Sequence, residues 1–492
     1  MTRKQKVVFI GIDACDKDLV LHWAKSGALP VFQSLLKKGL SGITTNPPGL
    51  FVGAVWPSFY TGASPANHGR YCYKQFKSGT YESYSTKTAS FLKKEPFWNA
   101  LSRAERRVAI IDFPHTYPEK LNGVQIVEWG CHDAGHGLRS WPASLAHQIE
   151  QKFGKHPVPP RCDAIRGPEE LRVLHRQLLD GVRKKAMLNE YILQQESWDL
   201  FATVFSESHC VGHQCWRLHD KDHILYDEKS VRFIGSDPVK DVYMAIDSAL
   251  GSLIDKIGQE TILIILCSHG MGPHYDGNHM LDDILIALEN PDTYKIRKNS
   301  NTFWSKYWNW IPGLRAHHSA SLRNNRFAER NCFQIPNNTV AGGIRVNMAG
   351  REPGGKIHSG SEYEEFCLTL THNLLDLINA DSGEPAVREI YKVADRYSGE
   401  YLDELPDLIV EWNRSRPIES IHSPKFGMIH KKFKGCRSGD HRPDGMFIAS
   451  GPSIKAGHIE RQVPVTDFAP TIASFLGVTL TGVDGTVIHE IL

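Results

Sequence analysis

Short runs of β-branched and aliphatic residues alternate with amphipathic stretches along most of the chain. Residues 7 to 12 (VVFIGI) read as a buried strand. After them Leu19, Leu21, Trp23, Val31, Phe32, Leu35 and Leu36 form an amphipathic stretch, and RRVAIID returns to strand, ending near Asp112. The same alternation predicts strands in WDLFATVF before Glu207, TILIILC before Ser268, LPDLIVEW at 405–412 and DGMFIAS at 444–450, with a helix over DVYMAIDSALGSLIDKIG. Strands that are apolar almost throughout, set between helices, predict an α/β fold whose mostly parallel sheet is sandwiched by helices. One domain over 1–492 is expected, interrupted by insertions at 128–196 and 291–345 that are able to form a cap.

Composition narrows the class. With 492 residues, 41% of them hydrophobic and 23% charged, the chain can bury a large core. A formal net charge of +2 is too close to neutral for nucleic acid or an acidic membrane to be the global partner. The start, MTRKQKVVFIGID, lacks the long apolar segment of a secretory leader, and no apolar run has the length of a membrane helix, so a soluble, cytoplasmic protein is expected. The ten cysteines show no CxxC spacing; buried free thiols are expected rather than disulfides or a structural zinc knuckle.

Chemistry concentrates where apolar runs end. Asp13 closes the first strand, His269 follows TILIILC, His209 and His213 follow WDLFATVF, and His441 lies in a Gly-Asp-His loop. Open α/β sheets gather the carboxyl ends of their strands along one edge, so these distant residues can share one site. His209 and His213 are four apart and share a face if helical. Glu207, two residues before His209, points the same way if the segment is extended, and could act as general base, as a further metal ligand or as acceptor for an imidazole N–H. His132 and Asp133, with His274, Asp276 and His279 just past His269, are candidates for the substrate's surroundings.

The ordered set VVFIGID, WPSFYTGASPANHG, SHCVGH, SHGMG, GIRVNMAGREPGG, GDHRPDGMFIASGP and VTDFAPTIASFLGV resembles the alkaline phosphatase superfamily, in particular its type I phosphodiesterase and nucleotide pyrophosphatase branch. The resemblance implies two ions: one on a first-strand Asp, a Thr or Ser nucleophile and an Asp-His pair, the other on Asp-x-x-x-His and a late His. Asp13, His269, His213 and His441 match that pattern. Three positions depart from it: Val52 stands where the nucleophile is expected, Ser268 precedes His269, and His209 occupies the place of the Asp.

The resemblance so altered implies metal ligands Asp13, His209, His213, His269 and His441. The residues' own positions add a catalytic Glu207, and His132, Asp133 and His274 toward a small anionic substrate. Zinc is the first expectation for the divalent metal, with iron or manganese as alternatives. The expected reaction is hydrolysis of a phosphate mono- or diester or a sulfate, with attack by metal-bound hydroxide because valine cannot attack. The alternatives are a single-metal, His-ligated enzyme of redox, lyase or transferase chemistry, or a non-catalytic binding module. Residues 297–330 hold seven Lys or Arg against one acidic residue, Glu329, beside Trp304, Trp308 and Trp310. That excess suggests a lid attracting anions, in which Arg315 and Arg323 would bind substrate with a marked salt dependence.

Overall fold

The computed structural model describes residues 5–86, 92–130, 135–159, 163–291, 327–337 and 340–492. Residues His132, Asp133, Trp304, Trp308, Trp310, Arg315 and Arg323 lie outside the described residues, and with them most of the expected lid. Two compact units are present: one formed by Met1–Ser64, Ala89–His274 and Gly435–Leu492, the other by Pro65–Thr88 and Tyr275–Lys434.

The first unit is built on nine strands: β1 (Lys6–Ile12), β2 (Leu40–Thr45), β3 (Val108–Ile111), β4 (Gly123–Val127), β5 (Arg139–Trp141), β6 (Leu200–Phe205), β7 (Thr261–Cys267), β10 (Gly445–Ser450) and β11 (Gly457–Pro464). A separate two-stranded ladder joins β8 (Gly270–Pro273) to β9 (Gly439–Arg442). The sheet order is β11-β2-β10-β7-β1-β6-β3-β4-β5, parallel except for β10 and the edge strand β5. Helices cover both faces. Along β1 the side chains alternate: Val8, Ile10 and Ile12 enter one apolar cluster with Trp23, Phe32, Leu174 and Val242, while Val7 and Phe9 enter another with Phe59, Trp98 and Phe468. This two-sided burial, about 1.5–3 kcal/mol for each large apolar side chain, is why the central strands read as continuous apolar runs.

Register sets the site. Ile12 pairs with Phe205 on one side and Cys267 on the other, so the residues that follow these three strands emerge at the same level. Asp13 N donates to Phe205 O at 2.8 Å and Ser268 N to Ile12 O at 3.1 Å, extending the ladders one residue beyond the strands. Ala14 then turns through a left-handed φ of 50°, a conformation that costs a residue with a Cβ about 1–2 kcal/mol. Four helices flank this edge: α1 (Lys17–Lys25), α2 (Phe51–Thr61), α3 (Pro168–Gln195) and α4 (Glu207–His219).

In the second unit, Cys332–Ile335, Ala341–Val346, Leu408–Trp412 and Val387–Lys392 form a four-stranded antiparallel sheet in that order. The LPDLIVEW run is therefore a strand, as read, but one of this smaller sheet. Buried Arg345 is satisfied there by Glu352 at 2.7 Å and by the carbonyls of Asp403 and Leu405.

Candidate metal centre

The strand-end residues converge. His209 and His213 lie on one face of α4, and their ring centroids are 4.5 Å apart; His441, on β9, stands 4.9 Å from His209 and 4.5 Å from His213. One nitrogen of each of the three lies within 4.8 Å of the others, and all three residues are buried. His269 stacks edge-on against His441 at 4.6 Å and reaches its Nδ1 with Nε2 at 2.9 Å. Asp13 accepts from Trp56 Nε1 at 2.8 Å and faces Ser268 Oγ at 3.3 Å.

Close backbone approach makes this packing possible. A Cβ on Gly439 would fall 2.3 Å from Gly212 O and 2.7 Å from Trp216 Cβ, so only glycine lets β9 lie this near α4. The approach brings His213 Nδ1 to Gly439 O at 2.8 Å. A carbonyl only accepts, so Nδ1 carries the proton and His213 Nε2 is left as a lone pair. That nitrogen faces His441 Nε2 at 3.2 Å.

Burial disfavours the charged imidazolium, and with the neighbouring Arg437 it lowers the His213 pKa to about 3. His441 is pushed well below its usual range by burial and by the neighbouring His213 and His269; burial also lowers His269, against opposition from Asp13 and Asp440. Three buried imidazoles with converging nitrogens, His213 and His441 held neutral by burial, fit a divalent cation: they would hold it in place of the protons that burial disfavours.

A pH dependence follows. Between pH about 6.5 and about 3 the unfolded chain protonates His213 while the folded chain does not, so unfolding takes up protons. Stability of the metal-free protein is complete above this window and declines as pH falls through it, with His441 and His269 acting in the same direction. Urea midpoints measured from pH 8 to pH 4 after chelation are expected to drop steadily below pH 6.5; a flat profile would contradict the burial argument.

Other residues at this edge support the ligands. Glu207, at the first turn of α4, accepts from His156 Nε2 at 3.0 Å and from Ser206 N at 3.1 Å. The segment is helical rather than extended, so Glu207 points away from His209, toward His156. His156 fits only because Gly130 and Gly181 lack side chains: a Cβ on either would lie 2.7 and 2.9 Å from the imidazole. Asp112, also at a left-handed φ (54°), accepts from Trp129 N and Gly130 N at 2.8 Å each and from the fully buried ammonium of Lys185. His274 Nδ1 meets Asp440 at 2.8 Å. Burial opposes ionisation of Asp440, but His274, Arg437, His213 and His441 outweigh it and hold the carboxyl well below the usual range. Val52 lies in the first turn of α2, next to Phe51, whose ring packs against His269 with centroids 5.7 Å apart.

His156, Trp56 and Ser208 escaped the sequence reading. Ser208 Oγ donates to Asp13 O at 2.5 Å. None follows an apolar strand directly in the manner of the ligands; Ser208, one residue from His209, had the nearest signal.

The profile of the type I phosphodiesterase / nucleotide pyrophosphatase family matches residues 7–415. No curated protein matches the chain. Among solved structures, an inactive variant of murine ectonucleotide pyrophosphatase / phosphodiesterase 5 in complex with AMP aligns with 14% identity and a TM-score of 0.53, covering 98% of this chain and 97% of that one. Phosphonoacetate hydrolase from Sinorhizobium meliloti 1021, in complex with phosphonoformate, gives 14% and 0.56 over 96% of each chain. Wild-type alkaline phosphatase PafA gives 14% and 0.56 over 100% of this chain and 99% of that one.

Proposed function

The chain belongs to the type I phosphodiesterase / nucleotide pyrophosphatase family, a family of metal-dependent hydrolases, and from that premise we propose that it hydrolyses a small phosphate ester by direct attack of water, with no covalent enzyme intermediate. The observation that carries this reading is Val52 at the first turn of α2, where the family pattern requires a nucleophile. Two hydroxyls beside Asp13 are already committed: Ser208 donates to Asp13 O, and Ser268 is bonded to Asp13, His269 and Ala14 N.

His209, His213 and His441 would hold the ion, which supplies Lewis-acid charge and makes a coordinated water acidic near neutral pH. Zinc is favoured by three neutral imidazoles; the same set admits iron. The protein's own part is positional. Burial keeps His213 and His441 unprotonated, Gly439 O fixes the His213 tautomer, and the His156–Glu207 pair secures the start of the helix that carries His209 and His213. In the reaction the water oxygen bonds to phosphorus, the ester P–O bond breaks, and the proton lost by water is balanced by the one gained by the leaving alcohol. Phosphate monoesters and diesters are the favoured substrates, because the solved structures of the same fold include proteins bound to AMP and to a phosphonate.

The test is a panel of chromogenic phosphate monoesters, diesters and sulfates, assayed with metal-loaded protein in water enriched in ¹⁸O. Turnover with a single-displacement course at phosphorus is expected. Overall retention of configuration at a chiral phosphate would demonstrate a covalent intermediate and overturn the water mechanism. Activity that survives His213→Ala would overturn the site.

A further inference from the structure

We infer that Asp13, Ser268 and His269 form a hydrogen-bonded chain that fixes the tautomer of His441, and that His269 is a positioning residue rather than a metal ligand. This rests on the three-histidine site proposed above.

The directions of the bonds carry the argument. Ser268 Oγ has one proton to give and two lone pairs. Ala14 N donates to it at 3.1 Å, which takes one lone pair. Asp13 Oδ1 lies 3.3 Å away, and a carboxylate oxygen accepts only, so the hydroxyl proton points to Asp13. His269 Nδ1, 2.9 Å from the same Oγ, must then carry a proton and donate into the remaining lone pair. Every capacity of the hydroxyl is used. A neutral imidazole has a single N–H, so His269 Nε2 is an acceptor, and the group it accepts from is His441 Nδ1 at 2.9 Å. His441 Nε2 is therefore a lone pair, as is the His213 Nε2 facing it at 3.2 Å.

Two lone pairs held face to face in a buried site repel unless a cation stands between them. The chain running from Asp13 through Ser268 and His269 thus ends by aiming His441 Nε2 at the three-histidine centre. It also occupies the one nitrogen with which His269 could bind a second ion on this side. Serine at 268 suits the link: it both accepts and donates, whereas a carboxylate there would face Asp13 as a second acceptor. The outcome is a single ion on this side of the site, with the first-strand aspartate supporting a ligand at two removes.

The experiment is zinc titration of metal-free, full-length protein against a chromophoric chelator, with metal counted by mass spectrometry, for wild type, His269→Gln, His269→Phe and Ser268→Ala. Stoichiometry of one is expected throughout. Gln, which offers an amide oxygen to His441 and an N–H to Ser268, should hold zinc nearly as tightly as wild type. Phe and the Ser268 variant should weaken it about 10–100-fold, the usual loss when a ligand's outer partner is removed. Histidine-selective ¹⁵N NMR of the zinc-loaded wild type, which needs no variant to fold, should show the Nδ1–H tautomer for both His269 and His441. Two ions in the wild type with one lost in His269→Gln, or an Nε2–H tautomer at His441, would overturn the chain while leaving the three-histidine centre intact. Zinc binding unaffected by His213→Ala would instead overturn the centre itself.

Discussion

Replacing His441 with alanine should abolish tight metal binding and lower kcat/KM on the best phosphate ester by about 10³-fold or more, the several kcal/mol that an ion's charge supplies to a phosphoryl transition state. The effect exceeds that of any outer residue because His441 touches both halves of the site: Nε2 faces His213 and Nδ1 is bonded to His269. The measurement is parallel metal counting and steady-state kinetics, with circular dichroism to establish that the variant folds. A variant that keeps one zinc per chain and most of its activity would place the centre elsewhere.

The largest effect on stability is expected at Lys185. Its ammonium and the Asp112 carboxyl are both fully buried, and they form an ion pair. Among the described residues, Lys185→Met leaves Asp112 with Trp129 N and Gly130 N as partners, and an uncompensated buried charge of this kind costs about 3–5 kcal/mol. Urea unfolding should register the loss, and the double variant with Asp112→Asn should recover much of it, since the penalty belongs to the stranded charge. The consequence reaches the site as well. Gly130 walls the slot that holds His156, and His156 binds Glu207 at the start of α4, so zinc affinity of Lys185→Met should also fall. An unchanged midpoint would show that the pair contributes nothing net.

The sequence made the central strands legible because both faces of each are buried: VVFIGI, LFATVF and TILIILC carry apolar residues at nearly every position. It concealed strands poor in apolar residues or largely exposed. Leu40–Thr45 is mostly buried but reads LSGITT, and the edge strand Gly457–Pro464 exposes most of its residues. The convergence of the candidate histidines was legible for a related reason, since each follows a buried strand or lies in a loop leading into one. Glu207 was harder. Its partner His156 lies 51 residues earlier in an irregular segment and depends on two glycines from separate elements, a three-body fit with no local periodicity. The altered positions Val52, His209 and Ser268 were visible as departures from a pattern; what replaces the lost ligands became visible only with the distances around Ser268 Oγ.

The position of β10 has a consequence for how the chain is made. Gly445–Ser450 comes from the last tenth of the sequence yet lies inside the sheet, between β2 and β7 and third of the nine strands. Until a ribosome has released those residues, the apolar strand β7 has an unpaired edge and β2 lacks both of its neighbours, the kind of surface that invites wrong partners and chaperone capture. His441 lies on the adjoining strand β9, so the step that fills the gap also delivers the last of the three imidazoles. A nascent chain stalled before this point would have neither a closed sheet nor three converging imidazoles, so sheet closure and assembly of the candidate site are a single step.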